Sequence, residues 1–219
     1  MGRRVSVAFL TLLAFTLFVN FASAIKYDFE KGMEDWTPIS GKWKVEKGEL
    51  VQKDVSTPAT RALVGDENWT DYTIECKIMI TNGSYTGVIF RAISDKKYYV
   101  FYMNAKGNVV ELWQHIGPGD TDRVMKFKHA PQGGVRIARN EWYNFKLVIK
   151  GKSGEFYVND ELQDKVDNLE YDKGKVGAWA WATEVHFDDF SITGPGIPSE
   201  TPVQPGGKTP LTWGIVKTR

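Results

Sequence analysis

Residues 86–115 read T-G-V-I-F-R-A-I-S-D-K-K-Y-Y-V-F-Y-M-N-A-K-G-N-V-V-E-L-W-Q-H. Three runs rich in β-branched and aromatic residues, Thr86–Ser94, Tyr98–Asn104 and Val109–His115, are separated by polar, turn-forming clusters such as Lys106-Gly107-Asn108. Each run is predicted as a strand, and neighbours along a strand point to opposite faces. In the first run Val88 and Phe90 share a face, and Ile89 and Arg91 share the other. An arginine at a strand centre is a poor core residue, so Val88 and Phe90 are placed inside. In the second run Tyr99, Phe101 and Met103 form the more apolar set, which turns Tyr98 and Tyr102 outward. In the third, a core role for Val110 and Leu112 turns Glu111, Trp113 and His115 outward.

The same texture extends in both directions. Further strands are predicted at Lys26–Glu30, Trp43–Glu46, Glu49–Lys53, Tyr72–Ile80, Trp142–Lys150, Glu155–Val158, Lys175–Trp181 and Val185–Thr193. Turn signals between strands include Lys47-Gly48, Asn82-Gly83, Asn159-Asp160 and Lys173-Gly174. Many short strands with frequent turns and no long helical pattern predict an all-β domain, a two-sheet sandwich or a barrel. Gly117–Gly134 reads as the longest polar loop, a candidate functional loop or a mobile rim.

Composition bounds the function. Met1–Ala24 has Arg3 and Arg4, an apolar run and the A-x-A site Ala22-Ser23-Ala24, so it is predicted to be a secretory signal peptide. The predicted domain is 25–193. A Pro/Gly linker (194–208) and a short tail (209–219) follow, the tail being either a loose end or a docking segment for a protein partner. Removing Arg3 and Arg4 from the 28 basic residues leaves 26 against 27 acidic ones, so there is no basic surplus to draw in nucleic acid. No later stretch is apolar enough to span a bilayer. The single cysteine, Cys76, cannot form an internal disulfide, so a secreted fold must hold by packing. Asn68-Trp69-Thr70 and Asn82-Gly83-Ser84 fit the glycosylation pattern, and His115, His129 and His186 show no zinc spacing.

All 8 Trp and all 9 Tyr follow Ala24. Trp36, Trp43, Trp69 and Trp142 lie beside turns and are expected to pack structurally. Ala178-Trp179-Ala180-Trp181-Ala182 puts alanine on one face and tryptophan on the other. Either the tryptophans fill a wide core, or the alanines pack and the tryptophans face out. If the outward sets share a sheet, Arg91, Tyr102, Glu111, Trp113, His115, Trp179 and Trp181 line one groove. Aromatic faces stack on pyranose C–H surfaces while Arg, Glu and His bond hydroxyls, so the expected partner is a carbohydrate. The near-neutral chain suits an uncharged glycan.

A string of short motifs over Tyr27–Thr193 resembles the concanavalin A-like lectin/glucanase superfamily. It runs from Asp28-Phe29-Glu30 with Trp36, through Trp43-Lys44-Val45, Gly48-Glu49-Leu50, Trp69-Thr70-Asp71-Tyr72, Gly87-Val88-Ile89-Phe90-Arg91 and Glu111-Leu112-Trp113, to Gly174-Lys175-Val176-Gly177 and Phe187-Asp188-Asp189-Phe190. Within it the chain is similar to laminin-G-like carbohydrate-binding domains and to the 3-keto-disaccharide hydrolase domain. The resemblance implies a jelly-roll sandwich of two antiparallel sheets with glycan on the concave face or its rim. It also implies a structural Ca²⁺ held by Glu30 and Asp189, with Asp188 or Asp28 as substitutes and carbonyls completing the shell. Phe187 and Phe190 have opposite parity, which a bulge at the Asp pair reconciles. The Glu-x-Asp-x-Glu strand of the superfamily's glucanases is missing: Glu184-Val185-His186-Phe187-Asp188 lacks its spacing. The leading expectation is a secreted, non-catalytic carbohydrate-binding module. The alternatives are a glycan-active hydrolase or lyase of the 3-keto-disaccharide type, and a structural or adhesive module docked by its tail.

Overall fold

The structure, a computed structural model, describes residues Ser23–Ser199; the expected leader up to Ala22, most of the linker and the whole tail lie outside the described residues. Fifteen strands, and no helix, occur among the described residues. They are β1 (Ser23–Tyr27), β2 (Thr37–Ser40), β3 (Trp43–Glu46), β4 (Glu49–Gln52), β5 (Thr60–Val64), β6 (Tyr72–Asn82), β7 (Tyr85–Ala92), β8 (Tyr98–Asn104), β9 (Val109–His115), β10 (Arg123–His129), β11 (Trp142–Lys150), β12 (Ser153–Val158), β13 (Glu161–Val166), β14 (Lys175–Trp181) and β15 (Glu184–Gly194). One sheet runs β13-β12-β11-β6-β15-β4-β3, with β1 also paired to β15; the other runs β10-β9-β8-β7-β14-β5-β2. All pairings are antiparallel. The result is a two-sheet sandwich: the strand pattern left a barrel open, and the sandwich is the arrangement that the resemblance implies.

The main core lies between the sheets. Val88, Phe90, Tyr99, Phe101, Met103, Val110, Leu112, Ala178 and Ala180 all enter it, on the faces their parity assigns. Phe101 is its ring hub, 5.1 Å from both Phe145 and Phe156. Burying each such ring contributes about 1.5–3 kcal/mol, and Cys76 is a buried free thiol, so packing does hold this fold. Trp36, Trp43 and Trp69 are core residues, but Trp142 is 39% exposed at the start of β11 and has no comparable packing role. Ile197 is also buried in the core, so the packed domain runs past Thr193 into the expected linker. At the other end, Ser23 and Ala24 pair with Gly194 and Thr193, which puts part of the expected cleavage motif in β1.

β2, β5, β10 and β13 are strands that the sequence reading left out. The most consequential is β10, inside the stretch read as a long polar loop. Its pairing with β9 shifts between Met125 and Phe127. The extra residue reverses parity, so Phe127 faces the core while Lys128 faces out beside Glu111. A similar bulge occurs in β15, where the register shifts between Asp188 and Ser191, and Phe187 and Phe190 are both buried, as expected.

The outer face of the seven-stranded sheet is organised by one row across all seven strands: Ser40, Arg61, Trp179, Gly87, Tyr102, Glu111 and Lys128. Gly87 lacks a side chain, so the Trp179 ring crosses its position and stacks on Tyr102, with centroids 5.0 Å apart and planes 19° apart. A second apolar cluster, including Leu63, Ile89, Val100, Tyr98, Tyr102 and Trp179, builds on this face. At one end the His115 ring stacks on Tyr98 at 4.4 Å, and Arg61 donates to the Tyr98 hydroxyl at 3.2 Å.

Two outcomes follow for stability. A Cβ at Gly87 would lie 2.0 Å from the Phe101 carbonyl oxygen and 2.5 Å from Tyr102 Cα. Gly87→Ala should therefore cost about 1–3 kcal/mol through overpacking, read as a lower urea midpoint; an unchanged midpoint would mean that the row spreads freely. Burial, then the nearby Arg123 and Arg61 cations, lower the pKa of His115 from 6.5 to about 4, against the opposing pull of Asp120. Its Nε2 has no hydrogen-bond partner among the described residues. The unfolded chain therefore binds a proton that the folded chain refuses between these values. Stability should fall as pH drops from 6.5 towards 4 and level off below, by about 3 kcal/mol from this group. His115→Phe keeps the stack and should flatten that part of the profile; urea midpoints of both proteins across this range, compared at each pH, measure the difference.

Candidate functional site

Beside the Trp179–Tyr102 stack lies an open groove of about 300 Å³. Its floor is Trp179, 1% exposed, and Tyr102. Its walls are Trp181 and Tyr85 on one side and Trp113 and Arg123 on the other. Trp181 pairs with Tyr85 across β14 and β7, so the two half-buried rings flank the floor as neighbours in one ladder. Trp181 lies 6.4 Å from Trp179, tilted by 40°, and Tyr85 meets Tyr102 edge-on at 6.0 Å.

Glu111 is the acidic residue of the lining, and it is 2% exposed. The Tyr102 hydroxyl and Trp113 Nε1 both donate to its Oε2 at 2.8 Å. The Lys128 ammonium lies 3.2 Å from Oε1, though Oε1 receives no aligned hydrogen bond from the described residues. Burial first, and then the bond and charge of Glu111, raise the Tyr102 pKa far above the ordinary phenol range, so this hydroxyl remains a donor. The carboxylate thereby fixes two of the groove's aromatic rings. Above Trp113 the Arg123 guanidinium sits 4.2 Å from the ring centroid, and 6.0 Å from that of Trp181.

The sheet brings five of the expected residues to this groove: Tyr102, Glu111, Trp113, Trp179 and Trp181. Two are elsewhere. Arg91 has a φ of 48° and sits in a bulge where β7 spends an extra residue against β14. Parity reverses there, so Ala92 joins the outer cluster and Arg91 is fully buried. Its guanidinium donates to the carbonyls of Tyr171 at 2.7 Å, Thr70 at 3.2 Å and Gly151, which makes it a loop clamp. His115 is on the expected face but buried against Tyr98, outside the groove lining. Trp179 does face away from the main core, yet Tyr102 covers it, so it supports the groove as a floor.

Tyr85, Arg123 and Lys128 are lining residues that the sequence reading missed. Tyr85 lies two residues beyond Gly83 of the Asn82-Gly83 turn. Arg123 and Lys128 belong to β10, where the bulge breaks the alternation that would have marked a strand. The readable signal was the set Val124, Met125 and Phe127 interleaved with cationic residues.

The residues expected to hold Ca²⁺ do not fit the ion. Both Asp189 oxygens face ammonium groups, Lys26 at 3.0 Å and Lys77 at 2.7 Å. These two partners lower the Asp189 pKa. Glu30 directs its carboxylate at Gly48. Among the described residues no group of three or more His, Cys, Asp or Glu side chains comes together as a metal site, whereas Ca²⁺ takes six to eight oxygens.

Comparison with known proteins places the fold. The carbohydrate-binding module CBM66 from Bacillus subtilis superposes with a TM-score of 0.65 at 20% identity, over 73% of this chain and 96% of that one. The catalytic domain of an endo-1,3-beta-glucanase (laminarinase) from Thermotoga petrophila gives 0.57 at 12% identity, over 81% and 99%. At these identities the likeness is one of fold, the concanavalin A-like jelly roll. By sequence, the extracellular exo-alpha-L-arabinofuranosidase of Streptomyces chartreusis is 21% identical over 142 residues, 64% of this chain. The galactocerebrosidase of Macaca mulatta is 28% identical over 102 residues, 47% of this chain. The aligned part spans only 16% and 15% of those two proteins, respectively. The model of the 3-keto-alpha-glucoside-1,2-lyase-like domain matches residues 26–193, nearly the whole sandwich, and the chain belongs to that family.

Proposed function

We propose that this domain binds carbohydrate in the groove on the outer face of its seven-stranded sheet. One observation carries the reading: half-buried Trp181 and Tyr85 present ring surface beside a buried, donor-fixed carboxylate. Sugar recognition needs that combination, an apolar platform for C–H faces with a few oriented polar groups for hydroxyls. Carbohydrate-binding and glycan-cleaving proteins among the structural and sequence neighbours support it. The leader-like start of the chain and the extracellular relative support a place outside the cell.

Hydrolysis is the weaker use of this groove. Glycosidases flank the scissile bond with two carboxyl groups, about 5–5.5 Å or 6.5–9.5 Å apart, and the described lining offers Glu111 alone. The family match favours a second reading, elimination from a 3-keto sugar. There Glu111 Oε1 would take the C2 proton that the ketone acidifies, the C2–H electron pair would become a C1=C2 double bond as the C1–O bond breaks, and the departing sugar oxygen would take a proton from solvent. Release of reducing sugar from a 3-keto-disaccharide, lost in Glu111→Gln, would establish this reading over simple binding.

For binding, Trp181→Ala should weaken retention on a glycan array by about tenfold, equivalent to about 1.4 kcal/mol for one lost stacking platform. Its melting temperature should stay close to that of the parent. Trp142→Ala removes an exposed tryptophan from the other sheet and should leave the array profile alone. Equal profiles for Trp181→Ala and the parent would sink the groove assignment.

A further inference from the structure

Resting on the carbohydrate reading, we infer that the groove selects acidic sugars, with the carboxylate of a uronic acid received by Arg123. Of the two cations in the lining, Lys128 is matched by Glu111 at 3.2 Å. Arg123 is matched by nothing: among the described residues no carboxylate comes within ion-pair distance of it, and no acceptor takes a hydrogen bond from its guanidinium. Asp120, on the preceding loop, is turned to Arg61 instead, at 3.5 Å. The lining therefore carries one uncompensated positive charge, beside a buried floor where charge interactions are poorly screened.

Arg123 is half-buried and its guanidinium lies over Trp113, between that ring and Trp181. Stacking on a ring face restrains the plane and spends none of the N–H donors. The N–H donors of this guanidinium are left over for a planar, two-oxygen acceptor, the match that makes arginine a carboxylate receptor. A neutral sugar has no group that uses this fork fully.

Arg123 lies over Trp113, and Tyr102 covers Trp179. Trp181 and Tyr85 keep ring surface toward the groove. A pyranose on Trp181 would therefore sit next to Arg123, within reach of the exocyclic carboxylate that distinguishes a uronic acid from its neutral parent.

The test uses matched polymers on the intact protein: polygalacturonate, alginate and hyaluronan, each against its carboxyl-reduced product, with intrinsic tryptophan fluorescence as readout. At least one acidic member should bind about tenfold or more tightly than its reduced partner, consistent with a charge-assisted bond to one guanidinium. That preference should shrink as salt rises. In Arg123→Gln the acid-to-neutral ratio should collapse towards one, and Arg123→Lys should recover only part of it because it keeps charge without the fork. Melting curves of both variants show whether the domain is intact. Equal or better binding of the reduced polymers, or a preference for sulfated over uronate polymers, would overturn the inference while leaving carbohydrate binding in place. Silence from every acidic polymer would overturn it too, and silence from a neutral glycan array as well would take the carbohydrate reading with it.

Discussion

The groove depends on an absence at its centre. In the row from Ser40 to Lys128, Gly87 is flanked by Trp179 and Tyr102. Any side chain there would separate those rings; without one, they close to 5.0 Å over the glycine. That stack provides a flat, buried floor on a face that a jelly roll would otherwise leave to solvent. It also sets the Tyr102 hydroxyl against Glu111, which in turn holds the Trp113 indole. Backbone pairing thus links four side chains from β14, β8 and β9 into one rigid unit, and cross-strand contact across a single glycine is the constraint that fixes it.

Most of the fold was legible because alternation has a period of two and a dense core enforces it. Tyr99, Phe101 and Met103 against Tyr98 and Tyr102, or alanines against tryptophans in β14, could be sorted by chemistry alone. What could not be read were most of the places where one extra residue resets the count. Arg91 and Lys126 both sit in bulges. At Arg91 the reset turned an expected groove residue into a buried clamp on three carbonyls, and near Lys126 it hid a strand and, with it, two cations of the groove. The bulge at Asp188–Asp189 could be anticipated because two phenylalanines bracket it with incompatible parity. Neither of the others has such a bracket in sequence.

An aromatic side chain on a strand need not be either core or surface. Trp179 shows a third state: it points away from the main core yet is covered by a second, smaller one. Such a residue contributes rigidity. Ligand binding to ordered rings avoids the entropic cost of freezing them, so buried Trp179 supports Trp181 without needing to touch sugar. His115 and Tyr98 extend the same layer, with Arg61 over the Tyr98 ring at 5.6 Å.

Charge needs the same local treatment. A chain whose acids and bases nearly cancel was expected to favour an uncharged partner, but net charge averages over pairs that neutralise each other at the surface. Lys26 and Lys77 are spent on Asp189, and Lys44 and Lys53 on Glu46. Exposed pairs of this kind add little to stability, yet they remove themselves from the count that a ligand senses. What a ligand meets in the groove is the remainder after Glu111 and Lys128 have cancelled. That remainder is one guanidinium, oriented by an indole that is itself fixed by Glu111. The buried acid therefore acts twice, removing the charge of Lys128 from the groove and fixing the ring on which Arg123 lies.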